Sequence, residues 1–174
     1  MSTATPYIYI RAIEAKDIDL IYRLENDSAL WLVGATNVPY SRYVIESYIE
    51  QNTSNIFADG ETRLMVENED KEVVGIVDLT NLDPRHSRCE LGIAIVEAYQ
   101  RQGYAQATIK WIIDYCRNVL NLHQLYAYVN NTNQASCNLF KELGFNGETV
   151  LHDWFCQANE YHDAILFQYF LQKN

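Results

Sequence analysis

Six consecutive residues near the middle of the chain, Gln100-Arg101-Gln102-Gly103-Tyr104-Ala105, carry the clearest chemical signal. They lie between a β-rich run ending near Val96 and a long amphipathic stretch. A helix start presents backbone N–H groups that have no intrahelical partners. It also carries roughly half a unit of positive charge. A diphosphate is bound by that combination. Gly103 has no side chain and Ala105 a small one, so an anion can approach the main chain closely. Arg101 either adds charge there or points to solvent. Taken alone, a glycine at a strand–turn–helix junction is also ordinary turn chemistry, so the flanking elements have to decide.

Those elements follow from periodicity. Tyr7 to Ile13 is β-rich, and Asp17 to Glu25 is a short amphipathic helix through Ile18, Ile21, Tyr22 and Leu24. Asn26 to Tyr40 reads as loop, with Gly34 and Pro39 as breakers. Ser41 is an N-cap for a second helix, whose apolar stripe is Val44, Ile45, Tyr48 and Ile49. Thr62 to Glu67 and Val73 to Asn81 form a predicted hairpin around a solvated acidic turn, and Arg88 to Val96 is a further strand. The long helix spans about Gly103 to Leu120, with Ala105, Ile109, Ile112, Ile113 and Cys116 on one stripe. Leu122 to Val129 is the next strand. Thr132 or Asn133 caps a helix ending at Leu143, with Gly144 as its left-handed C-terminal residue. Strands near Thr149 to Phe155 and Tyr161 to Leu171 finish the chain. The order predicts an α/β fold with a mixed, mostly antiparallel sheet. Its centre is a right-handed β-α-β unit from Arg88 to Val129.

Bulk properties narrow the function classes. The chain has 174 residues, 48% of them hydrophobic, with a formal net charge of −10. No linker or repeat divides it, so residues 1–174 are expected to form one domain. The acidic balance disfavours nucleic acid and anionic membranes as partners and is compatible with a cationic amine. The start, Met1 to Arg11, lacks the pattern of a secretory signal, no run of about 18 apolar residues is present, and a cytoplasmic protein is expected. Cys89, Cys116, Cys137 and Cys156 have long, irregular spacings and apolar neighbours, which predicts buried free thiols in a reducing compartment. His152-Asp153 and His162-Asp163 lie on strands, where sequence neighbours point to opposite faces, so no metal site is assigned. Tyr104, Trp111 and Tyr115 follow helical spacing and read as packing.

With these elements in place, the chain resembles the GNAT (GCN5-related) N-acetyltransferase superfamily. The family signature R/Q-x-x-G-x-G/A is filled by Gln100, Gly103 and Ala105 at the strand-to-helix junction. The preceding strand Glu90-Leu91-Gly92-Ile93-Ala94-Ile95 also matches. So do the Asn-rich turn Asn130-Asn131-Thr132-Asn133, the short helix Ala135 to Glu142, and the ending Leu143-Gly144-Phe145. The resemblance covers roughly Tyr7 to Gln172 and is tightest from His86 to Ile165. Two branches look similar. Bacterial spermidine N-acetyltransferases resemble it at Val119-Leu120-Asn121-Leu122 and Tyr161 to Ile165. Ribosomal-protein N-terminal acetyltransferases resemble it at Pro39-Tyr40-Ser41.

The resemblance implies acetyl-CoA as co-substrate, an amine as acceptor, and no metal, with a homodimer left open. It implies a strand pair that splays apart to admit the pantetheine arm, which would pair with the edge at Ile93, Ala94 and Ile95. It assigns the diphosphate to Gln100, Arg101, Gln102, Gly103, Tyr104, Ala105 and Gln106, and a coenzyme contact to Asn133, which is also a plausible N-cap. Glu90 falls where many members of these branches carry a glutamate. A carboxylate there can take the proton that an amine loses as it attacks a thioester. The competing role for Glu90 is an ion pair with Arg85 or Arg88. One position departs from the family. A tyrosine often protonates the leaving thiolate, and Phe140 stands in its place at the coenzyme. Turnover without that acid, another hydroxyl (Tyr126, Tyr128 or Tyr161), or a coenzyme-binding module without catalysis all remain open, while Cys137 reads as packing. The expected activity is acetyl transfer to a small primary amine, polyamine-like by resemblance, with peptide N-terminal acetylation as the alternative.

Overall fold

The computed structural model describes residues 5–27, 38–53 and 55–171. Seven strands form one sheet in the order β1-β2-β3-β4-β5-β7-β6. Their bounds are β1 Tyr9–Ala12, β2 Thr62–Glu67, β3 Val73–Asp83, β4 Arg88–Ile95, β5 Gln124–Asn130, β6 Asn146–Gln157 and β7 Glu160–Phe170. The helices are α1 Ile18–Glu25, α2 Arg42–Gln51, α3 Ile56–Asp59, α4 Tyr104–Asn118 and α5 Gln134–Glu142. Every neighbouring strand pair is antiparallel except β4–β5, which α4 connects. A parallel pair requires such a crossover.

The sheet has apolar layers on both faces. On one, Val77, Leu79, Cys89, Leu91 and Leu125 pack under Ile109, Ile112 and Cys116 of α4. On the other, Met65 and Ile76 are covered by Ile21 of α1 and Ile45 of α2, together with Ile13. Alternation along β4 sorts its residues between them. Cys89, Leu91 and Ile93 go to the α4 side, whereas Ala94 packs with the other cluster. Arg88, Glu90 and Gly92 share that second face, and beyond α1 and α2 they are left uncovered enough to form a cleft.

The parallel pair is short. Only Arg88, Cys89 and Glu90 are in register with Gln124, Leu125 and Tyr126. Beyond them β4 stays with β3 as far as Ile95, while β5 continues along β7 to Asn130. The two strands therefore splay, as expected.

Several sequence expectations need correction. Cys89, Cys116 and Cys137 are buried, but Cys156 is exposed because the β6–β7 hairpin extends past the core. The Glu67–Glu72 turn is not wholly solvated: Glu67 is buried, and its Oε1 accepts from Arg11 Nε at 2.6 Å. The strand that begins at Val73 continues past Asn81 to Asp83 through a register shift. Helix α3 was not foreseen; its single turn relies on the Asn55 cap and on Gly60 at φ 77°. Of the expected loop at Asn26–Tyr40, residues 28–37 lie outside the described residues.

Candidate active site

The 97–103 loop and the start of α4 form the corner where an anion was expected to bind. Gly103 is the N-cap residue at φ 88°, and no side chain caps this helix end. The first amides of α4 therefore have no partner from the capping position. The expected reason for glycine here changes. A Cβ at this position would lie 3.0 Å from Pro6 Cδ, tighter than an ordinary contact. Close packing and left-handed backbone require the glycine as much as any anion would. Arg101, also left-handed at φ 59°, is exposed. Gln100 and Gln102 turn back on the loop: their amides donate to the carbonyls of Ile95 at 3.1 Å and Ala98 at 2.9 Å. Their side chains thus shape the corner instead of presenting donors outward. Tyr99 fastens it, donating to Glu72 Oε2 at 2.9 Å and meeting Tyr104 edge-on. Ala105 and Gln106 are half-buried in the first turn of α4.

The gap between β4 and β5 has a polar edge. Val96 N–H donates to Val74 O at 2.9 Å. In an antiparallel ladder the bonded positions alternate, so the main-chain groups of Leu91, Ile93 and Ile95 face away from β3 and into the gap. Ala94 lies on this stretch, but its own amide and carbonyl face β3. On the far side, Asn133 caps α5 by accepting from Ser136 N–H at 3.1 Å.

At the apex of the gap stand Glu90 and Tyr126, register partners on the cleft face. The anticipated ion pair to Glu90 does not form. Arg88 instead meets Asp83 at 3.2 Å, which also holds His86. The partner of Glu90 is neutral: Asn81 Nδ2 donates to Glu90 Oε2 at 2.7 Å. Asn81 reaches it because the β3 register shift turns its backbone to φ 51°. Asparagine tolerates that region better than most residues. Burial, and then the charge of Glu90, push the Tyr126 phenol up to about 12. Tyr126 meets Tyr128 edge-on, and Tyr128 stacks on Trp154 with centroids 5.4 Å apart.

An uncapped helix start beside a polar, splayed strand pair with a carboxylate at its apex has the donors and the base that a nucleotide thioester and an amine acceptor would require. The acetyltransferase (GNAT) domain model matches residues 8–146. This chain belongs to the GNAT acetyltransferase family. It is 30% identical over 162 residues to the spermidine N(1)-acetyltransferase of Escherichia coli K12, covering 91% of this chain and 83% of that protein. It is 25% identical over 161 residues to an N-alpha-acetyltransferase of Sulfurisphaera tokodaii, covering 87% of each. The Vibrio cholerae spermidine N-acetyltransferase in complex with CoA and spermine superimposes with a TM-score of 0.84 at 28% identity, over 94% of this chain and 95% of that one. The chain is an acetyl-CoA-dependent N-acetyltransferase.

Phe140, expected at the coenzyme, is buried in the core. It is 3% exposed, stacked on Phe167 and edge-on to Phe145. Without a hydroxyl to keep wet, the ring joins the core. Of the alternative hydroxyls, Tyr161 is 65% exposed on the hairpin, whereas Tyr126 adjoins Glu90. His152 contacts Asp163 across strands at 3.2 Å. No cluster of three or more metal-ligating side chains occurs among the described residues. Sequence reasoning missed Asn81 and the Arg63 network. Arg63 grips Asp78 at 2.7 and 2.8 Å and also binds Glu25. An asparagine near the end of a predicted strand was the available signal for the first.

Proposed function

We propose that Glu90 is the general base of this acetyltransferase and that its acceptor is a small primary amine entering from the cleft face. The Glu90–Asn81 hydrogen bond carries this reading: the carboxylate has a neutral partner, so its charge is not consumed by an ion pair. The amine nitrogen attacks the thioester carbonyl, the C–N bond forms, and the C–S bond breaks. Glu90 accepts the proton that nitrogen gives up, directly or through one water. The sulfur leaves as a thiolate, a leaving group with a pKa of about 8.5 in a free thiol. Tyr126, the register partner of Glu90, retains its proton at neutral pH and is suited to hydrogen-bond that thiolate, which takes its own proton from water. The buried Phe140 takes no part.

In this reading the diphosphate is held by the amides of Gly103 to Gln106, with Arg101 adding charge. The pantetheine arm pairs with the main chain of Ile93 and Ile95, past Ala94. Gln100, Gln102 and Tyr104 support the loop, and Asn133 holds the start of α5 beside the coenzyme. The similarity to a spermidine acetyltransferase and the net charge of −10 make polyamines the first acceptors to test. Peptide N-termini are the second reading, favoured by the 25% identical N-alpha-acetyltransferase.

Steady-state release of CoA thiol from acetyl-CoA, with an amine panel and Ser- or Ala-initiated peptides, tests the proposal. Glu90→Gln is expected to lower kcat on the order of 10²- to 10⁴-fold while CoA binding measured by calorimetry is unchanged. Full activity in Glu90→Gln removes Glu90 as the base.

A further inference from the structure

The cleft face beside Glu90 holds a pocket of about 220 Å³ lined by Arg88, Gln124, Tyr126, Tyr128, Leu166 and Gln168. It straddles the Glu90–Tyr126 register pair, with Arg88 and Gln124 on the side of the first residues of β4 and β5, and Tyr128 with its register partner Leu166 on the side where the two strands splay. An acceptor that reaches Glu90 along the cleft face enters here. The lining is two phenol rings, one aliphatic side chain, two neutral amides and a guanidinium, with no carboxylate. Gln124 and Gln168 satisfy each other at 2.6 Å, which closes the floor without adding charge. Trp154 continues the aromatic wall from Tyr128 and is half exposed.

The neighbouring acids are already engaged. Asp83 binds Arg88 and His86. Asp78 and Glu25 bind Arg63. Residues 26 to 40 contain a single carboxylate, Asp27, and it too has an interaction partner. Around this pocket, Glu90 is the described carboxylate whose partner is neutral. One ammonium therefore has a counter-charge, whereas a second, carried along Tyr128 and Leu166, would meet no carboxylate in the lining.

Resting on the reading of Glu90 as the base of an amine acetyltransferase, we propose that the preferred acceptor carries one ammonium group on a flat aromatic or apolar body, and that polyamines are poor substrates. The ammonium sits at Glu90, where the adjoining phenol faces add a cation–π attraction. The body lies along Tyr126, Tyr128 and Leu166 against Trp154.

Initial rates with 2-phenylethylamine and with spermidine, at saturating acetyl-CoA, test this directly. The expected kcat/KM for 2-phenylethylamine is at least tenfold above that for spermidine. Tyr128→Ala and Trp154→Ala should each lower it several-fold with 2-phenylethylamine and by a clearly smaller factor with spermidine; an equal fall for both amines counts against the aromatic wall. Calorimetry with 2-phenylethylamine and CoA, which needs no turnover, should show the same ranking. Gln168→Glu supplies a second carboxylate and should shift the ratio toward spermidine at least fivefold. Equal or higher kcat/KM for spermidine in the wild-type chain overturns the proposal while acetyl transfer stands. No thiol release with either amine or with any other acceptor overturns the base assignment as well.

Discussion

At the scale of single residues, the site depends on what Glu90 is not bonded to. Arg88, two positions away on the same face, is drawn off by Asp83, so among the described residues the carboxylate meets the amide of Asn81. That amide aims one carboxylate oxygen and leaves the other for a proton. Asn81→Gly separates this aim from the backbone it requires, because glycine accepts the φ of 51° without strain. The expected outcome is a melting temperature within a few degrees of wild type and a kcat reduced several-fold, with KM for the amine nearly unchanged. A matching fall in stability would mean that Asn81 only shapes the bulge. None of this was legible in the sequence: an asparagine at the end of a β-run gives no sign that the ladder shifts register there and swings its side chain onto the neighbouring strand. Glu90 itself was legible only through family resemblance. The loss of a hydroxyl at position 140 was plain from the residue type, but its burial between Phe145 and Phe167 depended on packing from two other elements.

At the scale of elements, the long helix and the strand before it were readable because their periodicity and punctuation agree. The stripe through Ile109, Ile112 and Cys116 is buried as predicted, and Ser41, Asn133 and Gly144 occupy the capping positions their types suggest. What periodicity cannot encode is the distance between two strands. The splay of β4 from β5 arises because β5 follows β7 while β4 follows β3, a contest among long-range pairings. The Gly103 corner joins these elements, and its substitution is predictable. Gly103→Ala must place a Cβ at φ 88° and about 3.0 Å from Pro6 Cδ. Left-handed backbone alone costs roughly 1–2 kcal/mol for a residue with a Cβ, and the contact with Pro6 adds to it. A melting temperature lower by roughly 3–8 °C and weaker CoA binding by calorimetry are expected together. Unchanged affinity with reduced stability would restrict Gly103 to a packing role.

At the scale of the whole molecule, the first strand is clasped to the sheet by charge. Arg11 bridges buried Asp17, at 2.7 and 2.8 Å, and buried Glu67. Burial works to raise the Asp17 pKa, but the Arg11 hydrogen bonds and the Glu14 amide outweigh it and hold the carboxyl below its ordinary range. A carboxyl depressed in the folded state adds stability above its unfolded pKa of about 3.9, and that stability is lost as pH falls through the folded value. Asp17→Asn should therefore destabilise the protein at pH 7, by up to about 3 kcal/mol if Arg11 is left half-paired, and the deficit should shrink below pH 4. Urea melts at the two pH values measure it; a pH-independent deficit would remove the electrostatic cause. The cysteines have a different consequence. Burial raises the thiols of Cys89, Cys116 and Cys137, while Cys156 lies in the open on β6, two residues from Trp154. A maleimide fluorophore should thus attach at one position per native chain and at four once the chain is denatured. The single label would stand at the rim of the aromatic wall, giving an optical reporter of acceptor entry that needs no engineered cysteine.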